Sequence, residues 1–115
     1  MSTRRGPRRS LARDVAIVGI GATPFGRSPW SLLKLLAEAA HGALEDAAIP
    51  RQRVDALYVA NVGAGRLNHM SGLASALADR LGLLPAAADC VENGPASGGS
   101  ALKAGVLAVA SGYHE

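Results

Sequence analysis

The sequence has a single cysteine, Cys90, so no disulfide can close within the chain. That fits a reducing compartment. Aromatic residues are only 3% of the 115 residues, so the core has to be aliphatic and rich in alanine. No apolar run is long enough to cross a bilayer as a helix. No apolar signal-peptide core follows the N-terminal arginines before Asp14. The cytoplasm is therefore the expected location. Acidic residues are missing from positions 1–13, where Arg4, Arg5, Arg8, Arg9 and Arg13 hold five of the twelve basic residues. The other seven face nine acids, so the net charge of +3 is a property of the first 13 residues. The remainder offers no broad basic face for nucleic acid. No spacing of the three histidines and Cys90 suits a metal ion.

Apolar residues make up 49% and charged residues 18%, a globular composition sized for one domain. Residues 1–13 read as a basic, solvated and flexible tail, with a transit peptide or an electrostatic contact as the alternatives. Residues 14–115 read as the folded part. DVAIVGIG (14–21) carries a nearly continuous apolar run and predicts a buried parallel strand. ATPFGR (22–27) is a loop. Ser28 and Pro29 predict a helix start. Leu32, Leu35, Leu36, Ala39, Ala40, Ala43 and Ala47 then recur at helical spacing, and Pro50 stops the run. DALYVANV (55–62) predicts a second strand and Gly63-Ala64-Gly65 a loop. A second helix is expected over about Met70–Leu81, ending near Gly82. A third strand is expected over about Ala87–Glu92. Asn93-Gly94-Pro95 is a sharp turn, and a third helix runs from near Ser97 toward Ser111-Gly112. The order β-α-β-α-β-α with short connections predicts an α/β fold with a largely parallel sheet.

The third helix, SGGSALKAGVLAVASG, has Lys103 as its one charge. A helix apolar on nearly every face requires burial. The expectation is a larger body packed against it, so the chain reads as a piece of a larger fold or a subunit that needs a partner.

Two glycine-rich loops invite a dinucleotide reading. After Gly19-Ile20-Gly21 the third glycine position holds Pro24, which breaks the immediate helix start the fingerprint needs. Gly63-Ala64-Gly65-Arg66-Leu67-Asn68 fails in the same way. Asn68 and His69 sit where a loop meets a helix, in a capping role or in a contact with substrate or subunit. His41 belongs to the first helix and reads as structural or exposed.

The segment DCVENGPASGGSAL (89–102) is the most specific one. A strand ends, the chain turns, and a Gly/Ser-rich helix begins with its backbone N–H groups free. A helix N-terminus stabilises negative charge, which suits a thiolate nucleophile or an oxyanion. Cys90 itself falls inside the predicted strand, where the expectation is a small buried side chain. As the only thiol, it is the one candidate cysteine nucleophile in the chain.

VAIVGIGATPFGR resembles the first strand and loop of thiolases. VENGPASGGSAL resembles their nucleophile turn, especially in the branch related to sterol-carrier-protein thiolases. The resemblance covers about residues 14–115. It implies most of the first half of a two-halved layered fold, and acyl transfer between coenzyme A thioesters with carbon–carbon bond formation or cleavage. It implies coenzyme A thioester as substrate and no bound cofactor or metal. In that family the nucleophilic cysteine lies two residues before the Ser-Gly pair, here Ser97-Gly98, so its position holds Pro95. The family's other catalytic groups, a histidine and a second cysteine, come from its second half. Asn93, Ser97 and Gly98 are the implied substrate-binding positions. Gly65, Asn68 and His69 are the implied subunit contacts of a homo- or hetero-oligomer. Two other readings stay open: a non-catalytic thiolase-like subunit of a multi-subunit acyltransferase, and an independent α/β binding domain.

Overall fold

The computed structural model describes residues 10–115; the arginine-rich stretch 1–9 lies outside the described residues. Residues 10–13 are exposed. The elements run α1 (Leu32–Ala47), a 3₁₀ turn (Arg51–Arg53), β1 (Ala56–Ala60), α2 (Ala64–Leu67), α3 (Leu73–Leu81), β2 (Ala87–Val91) and α4 (Ser97–Ala110).

β1 and β2 form a parallel pair, with Ala56 opposite Ala87 and Ala60 opposite Val91. Alternation along β1 sends its side chains to two layers. Leu57 and Val59 join the apolar cluster built on Leu73, Ala74, Leu77, Ala78 and Leu81 of α3 and Ala37 of α1. Tyr58 faces the other way and lies beside Gly105 of α4. The order is therefore helix, sheet, helix, as expected for an α/β fold. The core is aliphatic throughout, as the low aromatic content requires.

The first helix begins later than Ser28-Pro29 predicts. Ser31 is the N-cap, and its Oγ accepts the Lys34 N–H at 3.2 Å. Ser28 serves a local turn instead, accepting the Trp30 N–H at 3.1 Å. α1 ends with Ala48 in the left-handed region (φ 54°), and the Ala48 and Ile49 N–H groups bond back to Glu45 and Leu44. That closure satisfies the last carbonyls before Pro50. The loop expected from Gly63-Ala64-Gly65 holds a short helix, α2, ahead of the second predicted helix. Asn61 Oδ1 accepts the Gly63 and Ala64 N–H groups at 2.9 and 2.6 Å and starts the four-residue α2. α3 follows only from Leu73. Gly82, at φ 67°, ends α3 where the sequence places its end; a side chain there would be strained.

One expectation is corrected. Residues 14–21 are not a buried strand. Among the described residues they pair with no strand, and Ile17, Val18 and Ile20 are 71%, 60% and 75% exposed. The segment lies along α1. Gly19 and Gly21 sit where a Cβ would collide with the helix backbone near Ala43 and Ala39. The Ile20 N–H donates to Asp46 Oδ2 at 2.9 Å. The apolar run pairs with no strand among the described residues and stays uncovered. Nor is α4 buried. Only Ser97 and Ala110 are, while Leu102 and Leu107 face solvent. The sheet covers one side of α4, and no other described element covers the rest.

Candidate functional site

The strand–turn–helix from β2 to α4 is held by a compact set of hydrogen bonds. Gly94 adopts φ 52°, which lets the chain reverse between Asn93 and Pro95. Ser97 is the buried polar residue of the turn, at 6% exposure. Its Oγ accepts the Asn93 N–H at 2.8 Å and donates to the Gly94 carbonyl at 2.7 Å. The Asn93 amide nitrogen donates to Ser100 Oγ at 3.1 Å, and the Gly94 N–H donates to Glu92 Oε1 at 2.9 Å. Asn93, Ser97 and Gly98 thus come together at one turn, with Ser100 added. Ser97 and Asn93 spend their groups within the turn.

No side chain caps the N-terminus of α4. Among the described residues Gly98 and Gly99 are exposed, and a Cβ on either would meet nothing. First-turn N–H groups have no partner inside their own helix. The turn therefore offers open backbone donors to an anion or a developing oxyanion. Pro95, exposed beside them, contributes no nucleophile.

Cys90 is not the buried side chain expected of its strand; it is exposed. The reason is its place on β2, whose outer side carries no further strand among the described residues. The Ala74 N–H, in the first turn of α3, donates to Cys90 Sγ at 3.2 Å. Cys90 also lines a cleft of about 160 Å³ with Asn61, Gly65, Met70 and Ser71. Cys90 and Gly65 are therefore brought together, on the α3 side of the sheet. Asn68 closes α2 through a backbone bond to Ala64 and is exposed. His69 is exposed at φ 51°, an uncommon conformation for a residue with a Cβ. His41 is exposed on α1.

Sequence reasoning missed Asn61 and Ser100. Asn61 had a signal, since an Asn just before Gly63-Ala64 is a helix-start residue. Ser100 had none, because its partner depends on how the turn closes. Among the described residues no three His, Cys, Asp or Glu side chains gather as metal ligands, and no helix is long and apolar enough to cross a membrane.

Residues 15–115 match the family described as "Thiolase, N-terminal domain". The chain is 44% identical over 105 residues to an acetyl-CoA acetyltransferase of Methanothermobacter thermautotrophicus, covering 90% of this chain and 27% of that protein. It is 43% identical over 102 residues to an acetyl-CoA acetyltransferase of Methanocaldococcus jannaschii, covering 87% of this chain and 26% of that one. The chain thus spans about a quarter of the length of these curated relatives. The solved acetyl-CoA acetyltransferase from Syntrophomonas wolfei superposes with a TM-score of 0.72 at 21% identity, over 86% of this chain and 26% of that one. At that identity the likeness shows the fold.

Proposed function

The chain belongs to the thiolase family through its N-terminal domain, and from that premise we propose that it is the N-terminal part of an acyltransferase acting on coenzyme A thioesters, without activity by itself. The match over residues 15–115 carries this reading. The open N-terminus of α4 supports it, because its backbone donors suit the oxygen of a thioester carbonyl as negative charge develops there. A cysteine thiolate in that place would attack the carbonyl carbon, form the new thioester bond and release coenzyme A as its thiolate. Pro95 occupies the place by resemblance, and a proline cannot take this step. A histidine and a second cysteine, which the resemblance assigns to the second half, would be the remaining acid–base groups. On this reading the protein works in the cytoplasm as an oligomer, with loop residues Gly65, Asn68 and His69 at the subunit contact. Asn93, Ser97 and Gly98 shape the turn against the acyl group.

The test is intact mass after incubation of the purified chain with acetyl-CoA. The expected result is no acetyl adduct. An adduct that disappears in Cys90→Ala would make the exposed Cys90 thiol the nucleophile and overturn the inactivity. Pro95 favours a second reading, a non-catalytic subunit beside an active acyltransferase. Co-purification with such a subunit supports that reading, and a stable lone monomer opposes it.

A further inference from the structure

Phe25 and Trp30 are two of the four aromatic residues in the chain, and both lie in the loop that leads into α1. Phe25 is fully exposed, and among the described residues no atom stands within 4 Å of a Cβ built on Gly26 beside it. Trp30 is 40% exposed, and its N–H is held by Ser28 Oγ. Arg27 and Pro29 join the two rings around an open hollow of about 260 Å³. Lys34 Nζ lies 4.6 Å from the centre of the Trp30 ring. Between Val15 and Ala37 there is no acidic residue. Residues 1–37 carry seven basic side chains and one acid, Asp14, whereas the other 78 residues carry five and eight. The positive charge is therefore concentrated in the stretch that also presents the exposed rings.

A protein partner has to bury Phe25 while setting carboxylates against Arg27 and Lys34, because a buried cation without a partner is costly. A nucleobase needs an open ring face on a fixed platform. Lys34 takes one face of Trp30, and Gly26 leaves Phe25 on an open turn. A lipid surface needs no preformed shape. Apolar tips enter below the headgroups, cations stay with the phosphates, and aromatic rings gather at that level. We infer that the loop 24–30 docks on an anionic lipid surface, with Phe25 and Trp30 entering it while Arg27, Lys34 and the arginines of residues 1–13 meet its phosphates. A small apolar wedge holds weakly by itself, and basic residues in the same stretch supply the second attraction that stable attachment takes. The inference does not depend on the acyltransferase reading.

Trp30 is the one tryptophan of the chain, so its emission reports on the loop directly. The full chain is mixed with vesicles of phosphatidylcholine alone and with vesicles of phosphatidylcholine and phosphatidylglycerol. The mixed vesicles should shift Trp30 emission to the blue and carry the chain upward in flotation, and phosphatidylcholine alone should do neither. Salt at about 1 M shortens the screening length to about 3 Å and should release the chain. Phe25→Ala should weaken binding by a factor on the order of 10. Arg27→Gln with Lys34→Gln should weaken it by a factor on the order of 30. These three side chains lie outside the apolar cluster, so circular dichroism of each variant should match the parent. Leu107→Ala removes an exposed apolar side chain on α4 and should bind as the parent does. The proposal is overturned by absence of binding to the mixed vesicles, or by full binding of Phe25→Ala. Flotation without a shift of Trp30 emission also overturns it, because the arginines alone would then make the contact. So does a single-stranded RNA oligonucleotide that moves Trp30 emission where the vesicles do not.

Discussion

Replacing Ser97 by alanine tests the turn that sets the candidate site. The substitution removes one hydroxyl and two hydrogen bonds, from the Asn93 N–H and to the Gly94 carbonyl. The Gly94 carbonyl keeps a bond from the Ser97 N–H at 3.2 Å, so it retains a partner. The Asn93 N–H loses its acceptor, although Asn93 is exposed enough for water to replace part of it. Two neutral hydrogen bonds are worth about 2 kcal/mol net. Alanine recovers roughly 0.5 kcal/mol as the better helix former. The expected loss is about 1.5 kcal/mol, or a fall of roughly 6–12 °C in Tm for a domain near this size. Urea unfolding followed by circular dichroism measures it, with the slope unchanged so that the shift reports stability. Ser100→Ala removes one exposed bond to the Asn93 side chain and should cost less than about 0.5 kcal/mol. If Ser97→Ala unfolds at the wild-type midpoint, the hydroxyl does not hold the turn.

Three further outcomes follow from the same structure. Gly21→Ala sets a methyl group against the α1 backbone at Ala39 and Ala43, where neither side can yield, and should cost about 1–3 kcal/mol; faster tryptic cleavage at Arg27 would report release of the segment. Leu77→Ala, at 3% exposure in the centre of the cluster, should cost about 2–5 kcal/mol, whereas Leu107→Ala on the open face of α4 should cost less than about 0.5 kcal/mol, both read by urea unfolding. The Cys90 thiol should react fully with a disulfide reagent in the folded chain, and reaction only after denaturation would contradict its exposure.

The sequence was most informative where a local rule settles local geometry. Gly82 marks the end of α3, and the small residues after Asn93 mark the turn and the start of α4. The two paired strands fall within two residues of their expected bounds. α1 starts from Ser31 and not from Ser28, because which cap residue works depends on the path of residues 22–30. The apolar run 15–20 shows the limit of periodicity. β-branched residues say that a segment is extended and suited to burial, but not that a partner lies beside it. The same holds for α4, whose apolar composition signals a need for cover that its described neighbours meet on one side only. Cys90 was misjudged because strand alternation cannot tell whether a strand lies at a sheet's edge. At the site, the sequence brought Asn93, Ser97 and Gly98 to one turn. It could not show that Cys90 faces the first turn of α3, since that depends on how the sheet and helix dock.

The identity of position 95 as the family's nucleophile position is the claim on which the functional account turns. Its most direct test is intact-mass and peptide analysis of Pro95→Cys, co-expressed with the unmatched part of the Methanothermobacter thermautotrophicus relative and incubated with acetyl-CoA. The account predicts one acetyl group on the new thiol at position 95, with none on the parent chain. A folded complex that gains no acetyl group at position 95, or gains it on Cys90 alone, would contradict the account.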